Sequence, residues 1–190
     1  MIYFDKKVVL ASASPRRQEL IKLIFDSVEI LPADCDETLP EGIGAREAVE
    51  YLSKIKNDAS SELTEKENLI ISADTVVAVD DEILGKPVDK EDARRMISLL
   101  SGKVHQVYTG VTLSLNEKTK TFTEKTDVAF FDLTEDEIEE YISSSEPYDK
   151  AGAYGIQGLA SKFIRGIEGD YFNVVGLPIS RIYEKIITKL

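Results

Sequence analysis

Two serines and two arginines stand at the start of a predicted helix, in a pattern suited to binding an anion. The segment Ser12-Ala13-Ser14-Pro15-Arg16-Arg17 directly follows an apolar run. Ser14 is a typical helix N-cap residue, and Pro15 is a typical first helical residue. Cations are disfavoured in a first helical turn because the helix dipole already places partial positive charge there. Backbone N–H groups, hydroxyls and guanidiniums that converge at one point therefore predict a phosphate-binding site.

A carboxylate inside an apolar strand is the second candidate for chemistry. Asp74 interrupts the run Leu69–Val79. Burying a lone carboxylate costs roughly several kcal/mol unless it is paired or binds a metal. A general base or a metal ligand fits this position, and so does an aspartate that forms an Asx turn at the end of a strand.

The position of Lys86 relative to Asp74 depends on the turn of a predicted hairpin. A three-residue turn pairs Val76 with Lys86 and places the lysine on the same face as Asp74. A two-residue turn pairs Thr75 with Lys86 and directs the lysine away. A solvated surface lysine is the third alternative.

Glu37, with Asp36 beside it, is the next carboxylate candidate. A metal ion that bridges phosphates usually keeps several waters and takes one or two protein carboxylates. Glu37 and Asp74 are therefore a candidate metal pair. The alternative for Glu37 is a solvated residue of a polar loop.

Four other polar side chains have both a functional and an ordinary interpretation. Lys54 and Lys56 lie on the helix after that loop, where a lysine is normally a solvated charge. His105 is the only histidine and suits a general base, although a structural hydrogen bond is the ordinary role. Gln157, in the glycine-rich segment 150–158, offers both a donor and an acceptor for reading a nucleobase, and an ordinary turn is the alternative.

Alternating strands and helices position these residues. The predicted strands are 8–11, 28–31, 69–79, 82–84, 104–115, 121–131 and 163–167, and the predicted helices are 15–25, 45–60, 90–100, 134–143 and 177–190. Early alternation followed by hairpins predicts an α/β fold with a mixed twisted sheet flanked by helices. We expect two lobes around a central cleft within a single domain, 1–190.

Composition excludes several classes of protein and site. The net charge of -12 disfavours binding to nucleic acid, which usually needs a basic face. One cysteine and one histidine exclude an intrachain disulfide, a cysteine-based zinc site and a multi-histidine metal site. No apolar run is long enough to cross a membrane, and the N-terminus lacks the apolar core of a signal peptide. We therefore expect a cytoplasmic protein without a membrane or nucleic-acid partner.

In combination, these segments resemble the Maf family of nucleoside triphosphate pyrophosphatases. The resemblance covers nearly the whole chain, and the order and spacing of its short motifs are specific. The motifs are Ser12 to Arg17, Ser72-Ala73-Asp74-Thr75, Gly85-Lys86-Pro87, Ser101-Gly102-Lys103-Val104-His105, Tyr108-Thr109-Gly110-Val111, Glu146 to Gly158 and Gly169 to Pro178. The resemblance implies a fold like that of Maf proteins and inosine triphosphate pyrophosphatases.

The resemblance also implies an activity, hydrolysis of a nucleoside triphosphate to the monophosphate and pyrophosphate. It assigns the proton acceptor to Asp74, metal contacts to Glu37 and Asp74, and phosphate contacts to Ser12, Arg16, Arg17, Lys56 and Lys86. The segments around Gln157 and Asn173 are similar to the branch that acts on dTTP and UTP, whose specificity positions match Arg16, Thr75 and Gln157. A divalent cation (Mg²⁺ or Mn²⁺, with Co²⁺ as a third candidate) and a homodimer are implied as well.

One position departs from the family pattern. Asn57 follows Lys56, where the family usually has alanine. Two other functions remain open: a nucleotide-binding regulator of septum formation with little catalysis, and a pyrophosphatase for non-canonical purine triphosphates. A regulator would release no pyrophosphate from UTP. A pyrophosphatase for non-canonical purine nucleotides would prefer ITP or XTP to dTTP.

Overall fold

A computed structural model describes residues 6–32, 34–80 and 82–188. Seven strands and six α-helices are described. The strands are β1 (Val8–Leu10), β2 (Glu29–Ile30), β3 (Leu69–Val79), β4 (Glu82–Leu84), β5 (Val104–Leu115), β6 (Lys118–Phe130) and β7 (Ile164–Glu168). The helices are α1 (Pro15–Ile21), α2 (Ala45–Ser61), α3 (Lys90–Leu100), α4 (Glu135–Ile142), α5 (Tyr171–Val175) and α6 (Ile179–Ile187). Three short 3-10 turns lie between α4 and β7.

The strands form one mixed sheet. Their order is β2-β1-β3-β5-β6-β7, and β4 pairs with β3 outside this path. The pairs β1–β2 and β1–β3 are parallel, whereas β3–β4 and β6–β7 are antiparallel. This mixture of βαβ connections and hairpins confirms the predicted α/β class with a mixed sheet flanked by helices.

The chain divides into two compact units. The first extends to Asp74 and includes 109–124 and the C-terminal segment from Gly176; the second comprises Thr75–Tyr108 and Lys125–Val175. Leu10, Ile21 and Ile71 are fully buried in the first unit. The second has an apolar core built largely from β3, α3, α4 and the C-terminal half of β6. The predicted cleft and the single domain stay predictions.

Helix α1 is shorter than expected. It begins at Pro15 after Ser14, as predicted, but ends at Ile21 instead of continuing to residue 25. After Ile21 the chain forms a tighter turn with i→i−3 hydrogen bonds. Leu23 N–H donates to Leu20 O, and Ile24 N–H donates to Ile21 O. Ile21 and Phe25 are nevertheless buried, so this turn still supplies apolar side chains to the core.

The hairpin between β3 and β4 has the two-residue register. Val79 pairs with Glu82 and Val77 with Leu84, so the three-residue alternative is wrong. Asp80 has a φ of 49°, a conformation that aspartate adopts in tight turns. Asp81, the other predicted turn residue, lies outside the described residues. Pairing ends at Leu84, and Lys86 lies beyond β4.

The remaining elements differ little from their predictions. The capping box that opens α4 is present, since Glu137 N–H donates to Thr134 and the Glu137 side chain binds the Thr134 backbone. Helix α5 was not predicted. The closing helix begins at Ile179, and residues 189–190 of its predicted extent lie outside the described residues. None of the described helices has the length and apolar character required to span a membrane.

Candidate active site

Asp74 lies in the middle of β3, immediately after five buried residues. Only 13% of its side chain is exposed. Water therefore solvates this carboxylate poorly, and a nearby cation is needed to stabilise its charge. The Asx-turn alternative does not apply, because β3 continues for five residues beyond Asp74.

Lys56 supplies the cation. Its Nζ hydrogen-bonds to Asp74 Oδ1 and lies 2.8 Å from Glu37 Oε2. The lysine side chain is 16% exposed, whereas that of Glu37 is 56% exposed. Burial acts to lower the pKa of Lys56, but the charges and hydrogen bonds of Asp74 and Glu37 outweigh it and raise the pKa above its ordinary value. The structure thus brings three predicted site residues together around one ammonium group.

Helix α2 holds Lys56 in place through polar contacts that the sequence did not reveal. Ser53 Oγ lies 3.0 Å from Thr112 Oγ1, and Ser72 Oγ donates to Ser53 O at 2.6 Å. Asn57 Nδ2 donates to Thr112 O at 3.1 Å. All four side chains are buried. Because buried polar groups need specific partners, these bonds fix the position of α2 along β3 and β5.

Asn57 therefore has a structural role at the position that departs from the family pattern. Its amide also lies within hydrogen-bond distance of Ile70 O, at 3.4 Å. The signal in the sequence was polar residues at 53, 57 and 60, spaced three or four apart on one helix face. Gly110 permits close packing nearby, since a Cβ there would lie 2.2 Å from Val49 O in α2.

The loop before α1, which the sequence predicts to bind an anion, is internally hydrogen-bonded. Ser12 is buried, and its Oγ accepts a bond from Ser14 N–H at 3.3 Å. Ser14 occupies the N-cap position, but its side chain makes no capping bond. Arg16 is half-buried in the first turn of α1. The predicted local structure is present, and phosphate binding by Ser12 and Arg16 stays a prediction.

Arg17 is directed toward main-chain carbonyls. Nε donates to Gly176 O and Nη1 to Ala73 O, both at 2.8 Å, and Nη1 also lies 3.5 Å from Ser12 Oγ. Burial lowers the pKa of Arg17, and the charge of Asp74 acts in the opposite direction. Arg17 therefore connects α1 to β3 directly before Asp74, a role that the sequence did not indicate.

The other predicted site residues belong to the second unit. Thr75 follows Asp74 in β3 and is half-buried. Lys86 is exposed, and within the described ranges its side chain makes neither an ion pair nor a hydrogen bond. Gln157 is also exposed. His105, by contrast, is fully buried, and its Nε2 lies 2.8 Å from the Tyr154 hydroxyl, so the structural interpretation of this histidine is correct.

Glu146 organises the loop that carries Gln157. Its carboxylate accepts hydrogen bonds from the N–H groups of Leu159, at 2.6 Å, and Ala160, at 3.2 Å. A Cβ on Gly158 would lie 2.1 Å from Glu146 Oε2, so a larger residue there would displace this carboxylate. Glu146 lies in one of the family-like motifs, but its neighbours in the sequence do not indicate this role.

The carboxylates of Glu37 and Asp74 suit a hard divalent cation. Both present oxygen atoms to the same positive charge, that of Lys56, and Mg²⁺ prefers such ligands. Across the residues that the structure describes, no group of three or more His, Cys, Asp or Glu side chains is arranged to hold a metal ion. A metal at this pair would need its other ligands from water or a bound substrate.

The chain is similar to proteins of known name. A family described as "Maf-like protein" matches residues 7–188. A dTTP/UTP pyrophosphatase of Bacillus cytotoxicus is 48% identical over 181 residues, which cover 95% of this chain and 94% of that protein. Proteins of the same name from Bacillus cereus and Bacillus anthracis are 45% and 46% identical with the same coverage.

The chain also aligns with solved structures at low sequence identity. The Staphylococcus aureus Ham1 protein aligns with a TM-score of 0.49 and 17% identity, over 66% of this chain and 72% of that one. A nucleoside-triphosphatase / dITP/XTP pyrophosphatase from Mycobacterium abscessus aligns with a TM-score of 0.42 and 15% identity, over 65% of this chain and 74% of that one.

Proposed function

Since this chain belongs to the Maf-like protein family, we propose that it hydrolyses dTTP and UTP to the nucleoside monophosphate and pyrophosphate. The observation that carries this conclusion is 45–48% identity, over 95% of the chain, to relatives named dTTP/UTP pyrophosphatase. The largely buried carboxylate of Asp74, held by Lys56 and close to the arginine-containing start of α1, provides the chemical groups for such a reaction.

Asp74 acts as the proton acceptor. Lys56 binds Oδ1 and leaves Oδ2 without a donor among the described residues, so Oδ2 can take a proton from water. The water attacks the α-phosphorus, its oxygen forms the new P–O bond, and the bond to the bridging oxygen of the β-phosphate breaks. Pyrophosphate leaves with the electron pair of that bond.

Basic side chains stabilise the negative charge that moves onto the leaving group. We assign phosphate contacts to Ser12, Arg16, Arg17, Lys56 and Lys86. For Arg17 this contact is additional to its bonds with Ala73 O and Gly176 O. Glu37 and Asp74 would hold a divalent cation (Mg²⁺, Mn²⁺ or Co²⁺), which when bound would neutralise phosphate charge and lower the pKa of bound water.

Base selection is assigned to Arg16, Thr75 and Gln157. Gln157 is exposed and carries both a donor and an acceptor, which a pyrimidine edge requires. The substrate class extends to modified pyrimidine nucleotides that present the same edge. We further propose a cytoplasmic homodimer, as the family resemblance implies, that binds neither nucleic acid nor a membrane.

A panel of nucleoside triphosphates tests this function. The purified chain is incubated with dTTP, UTP, CTP, GTP, ITP or XTP and with Mg²⁺ or Mn²⁺, and the products are separated by chromatography. We expect UMP and pyrophosphate from UTP, and TMP and pyrophosphate from dTTP. UDP with inorganic phosphate would contradict the site of attack, preference for ITP would contradict the substrate class, and no turnover would indicate a nucleotide-binding regulator.

A further inference from the structure

The ammonium of Lys56 occupies the position between the two carboxylates assigned to the metal. It contacts Asp74 Oδ1 and lies 2.8 Å from Glu37 Oε2. A divalent cation that bridged the same two oxygens would lie about 2.1 Å from each of them. Such an ion would have to share these two oxygens with the Lys56 ammonium, and the two positive charges would repel each other at this short range.

Burial makes this competition energetically important. The side chains of Lys56 and Asp74 are only 16% and 13% exposed, so water screens their charges weakly. A carboxylate in this environment requires a positive partner, and Lys56 supplies one in direct contact. A metal that enters therefore has to replace an existing ion pair instead of filling an uncompensated anionic site.

The backbone of Lys56 cannot withdraw to make room. Asn57, the next residue, donates to Thr112 O and is 1% exposed, and Ser53 on the preceding turn contacts Thr112 Oγ1. These bonds hold α2 in place. Only the flexible methylene chain of Lys56 is able to move its ammonium away from the carboxylates.

We propose that Lys56 is an internal competitor of the divalent cation for the Glu37–Asp74 pair, which it holds together and keeps neutralised when no metal is bound. This inference rests on the proposed function for the identity of the metal pair. It goes further because Lys56 then lowers the affinity of the nucleotide-free protein for the metal, in addition to any contact that this lysine makes with phosphate.

Direct Mn²⁺ binding tests the proposal. Free Mn²⁺ is measured by electron paramagnetic resonance during titration of nucleotide-free protein, wild type and Lys56→Met. Methionine retains an unbranched apolar chain and removes the charge. We expect Lys56→Met to bind Mn²⁺ at least about tenfold more tightly, because the carboxylate pair becomes available to it. Equal or weaker binding by Lys56→Met would overturn the proposal.

Two further variants identify the site of binding. Lys54→Met removes a neighbouring charge on the same helix, whose ammonium binds the exposed Asp58 at 2.6 Å, and we expect wild-type Mn²⁺ affinity. A Glu37→Gln/Lys56→Met double variant should lose the gain seen with Lys56→Met. A gain that persisted without Glu37, or that Lys54→Met reproduced, would show a general effect of net charge and would also overturn the proposal.

The Mn²⁺-binding measurement and the turnover measurement test the two proposals separately. Wild-type protein that releases pyrophosphate while Lys56→Met shows unchanged Mn²⁺ affinity would refute the competition alone. Tighter Mn²⁺ binding by Lys56→Met in a protein that hydrolyses no triphosphate would support the competition and refute the proposed function. Circular dichroism of each variant verifies that the fold is retained.

Discussion

Arg17 Nη1 donates a hydrogen bond, at 2.8 Å, to the carbonyl oxygen of Ala73, the residue directly before Asp74. Nε of the same guanidinium donates to Gly176 O at the same distance. One side chain therefore connects the start of α1, the middle of β3 and the segment before α6. Because a planar guanidinium holds its donors in a fixed arrangement, this contact restrains the backbone that carries the proposed proton acceptor.

Replacing Arg17 with lysine should reduce both stability and turnover. Lysine retains the charge, but its ammonium lacks the rigid, planar pair of donors that Nε and Nη1 present to the two carbonyls. A hydrogen bond from a charged group contributes about 1.5–3 kcal/mol, so we expect the free energy of unfolding to fall by about 2 kcal/mol. Urea denaturation measures the stability, and steady-state kinetics with UTP should show a lower kcat.

The neighbouring arginine is the matched control for this prediction. Arg16 has the same charge on the same helical turn, and we assign its main role to binding the substrate. Arg16→Lys should therefore raise KM for UTP and lower the free energy of unfolding by less than Arg17→Lys does. An Arg17→Lys protein of wild-type stability with a raised KM would instead assign Arg17 to phosphate binding alone.

Removing the charge of Asp74 should nearly abolish turnover. Asn has the same size and its Oδ1 can still accept a bond from Lys56, but it cannot take a proton. Loss of a general base typically reduces the rate by about 10²-fold or more, and we expect this loss in kcat for Asp74→Asn. Asp58→Asn is the control, because that exposed carboxylate pairs with Lys54 and not with Lys56 among the described residues. Full kcat in folded Asp74→Asn protein would refute the assignment.

Gln157 should determine the choice of base without contributing to stability. Its side chain is exposed, and the loop around it is held by Glu146 through the N–H groups of Leu159 and Ala160. For Gln157→Ala we expect an unchanged melting temperature and a change of about tenfold or more in the ratio of kcat/KM for UTP to that for CTP or GTP. Leu159→Ala, an exposed change in the same loop, should leave this ratio unchanged; unaltered selectivity in Gln157→Ala would rule out base recognition.

The sequence was sufficient wherever a local pattern determines a local structure. Asp74 interrupts an apolar run, and β3 contains that run from end to end. Thr134 and Glu137 have the spacing of a capping box, and the box is present. In each case the neighbouring residues alone determine the conformation, through hydrophobic burial or through backbone hydrogen bonds at a helix start.

Contacts between distant segments could not be derived in this way. Arg17 and Gly176 are 159 positions apart, and the acceptor is a backbone carbonyl, which any residue provides. The convergence of Glu37 and Asp74 on Lys56 depends on where α2 packs, and buried bonds of Asn57 and Ser53 determine that position. The hairpin register was ambiguous because β3 and β4 flank a turn whose length the sequence left open.

His105 should make the protein less stable in acid. Burial lowers its pKa from 6.5 to about 4, and the charge of Asp127 only partly opposes this. Below pH 6.5 the unfolded chain binds a proton at His105 that the folded protein does not. The stability that the neutral histidine contributes to the free energy of unfolding is therefore complete above pH 6.5 and is lost as the pH falls toward 4. A shift of this size corresponds to about 3 kcal/mol.

Urea denaturation at pH 7, 6, 5 and 4 measures this loss, and His105→Gln isolates the contribution of the histidine. Glutamine does not titrate and can still hydrogen-bond to the Tyr154 hydroxyl, which lies 2.8 Å from His105 Nε2. The variant should be less stable than wild type at pH 7, because the ring contacts with Phe130 and Tyr154 are lost. Its stability should nevertheless fall less steeply between pH 6.5 and 4, because glutamine takes up no proton. The exposed carboxylates are common to both proteins, so the difference between the two curves reports on His105. Parallel curves for the two proteins over this range would show that His105 does not contribute to acid sensitivity.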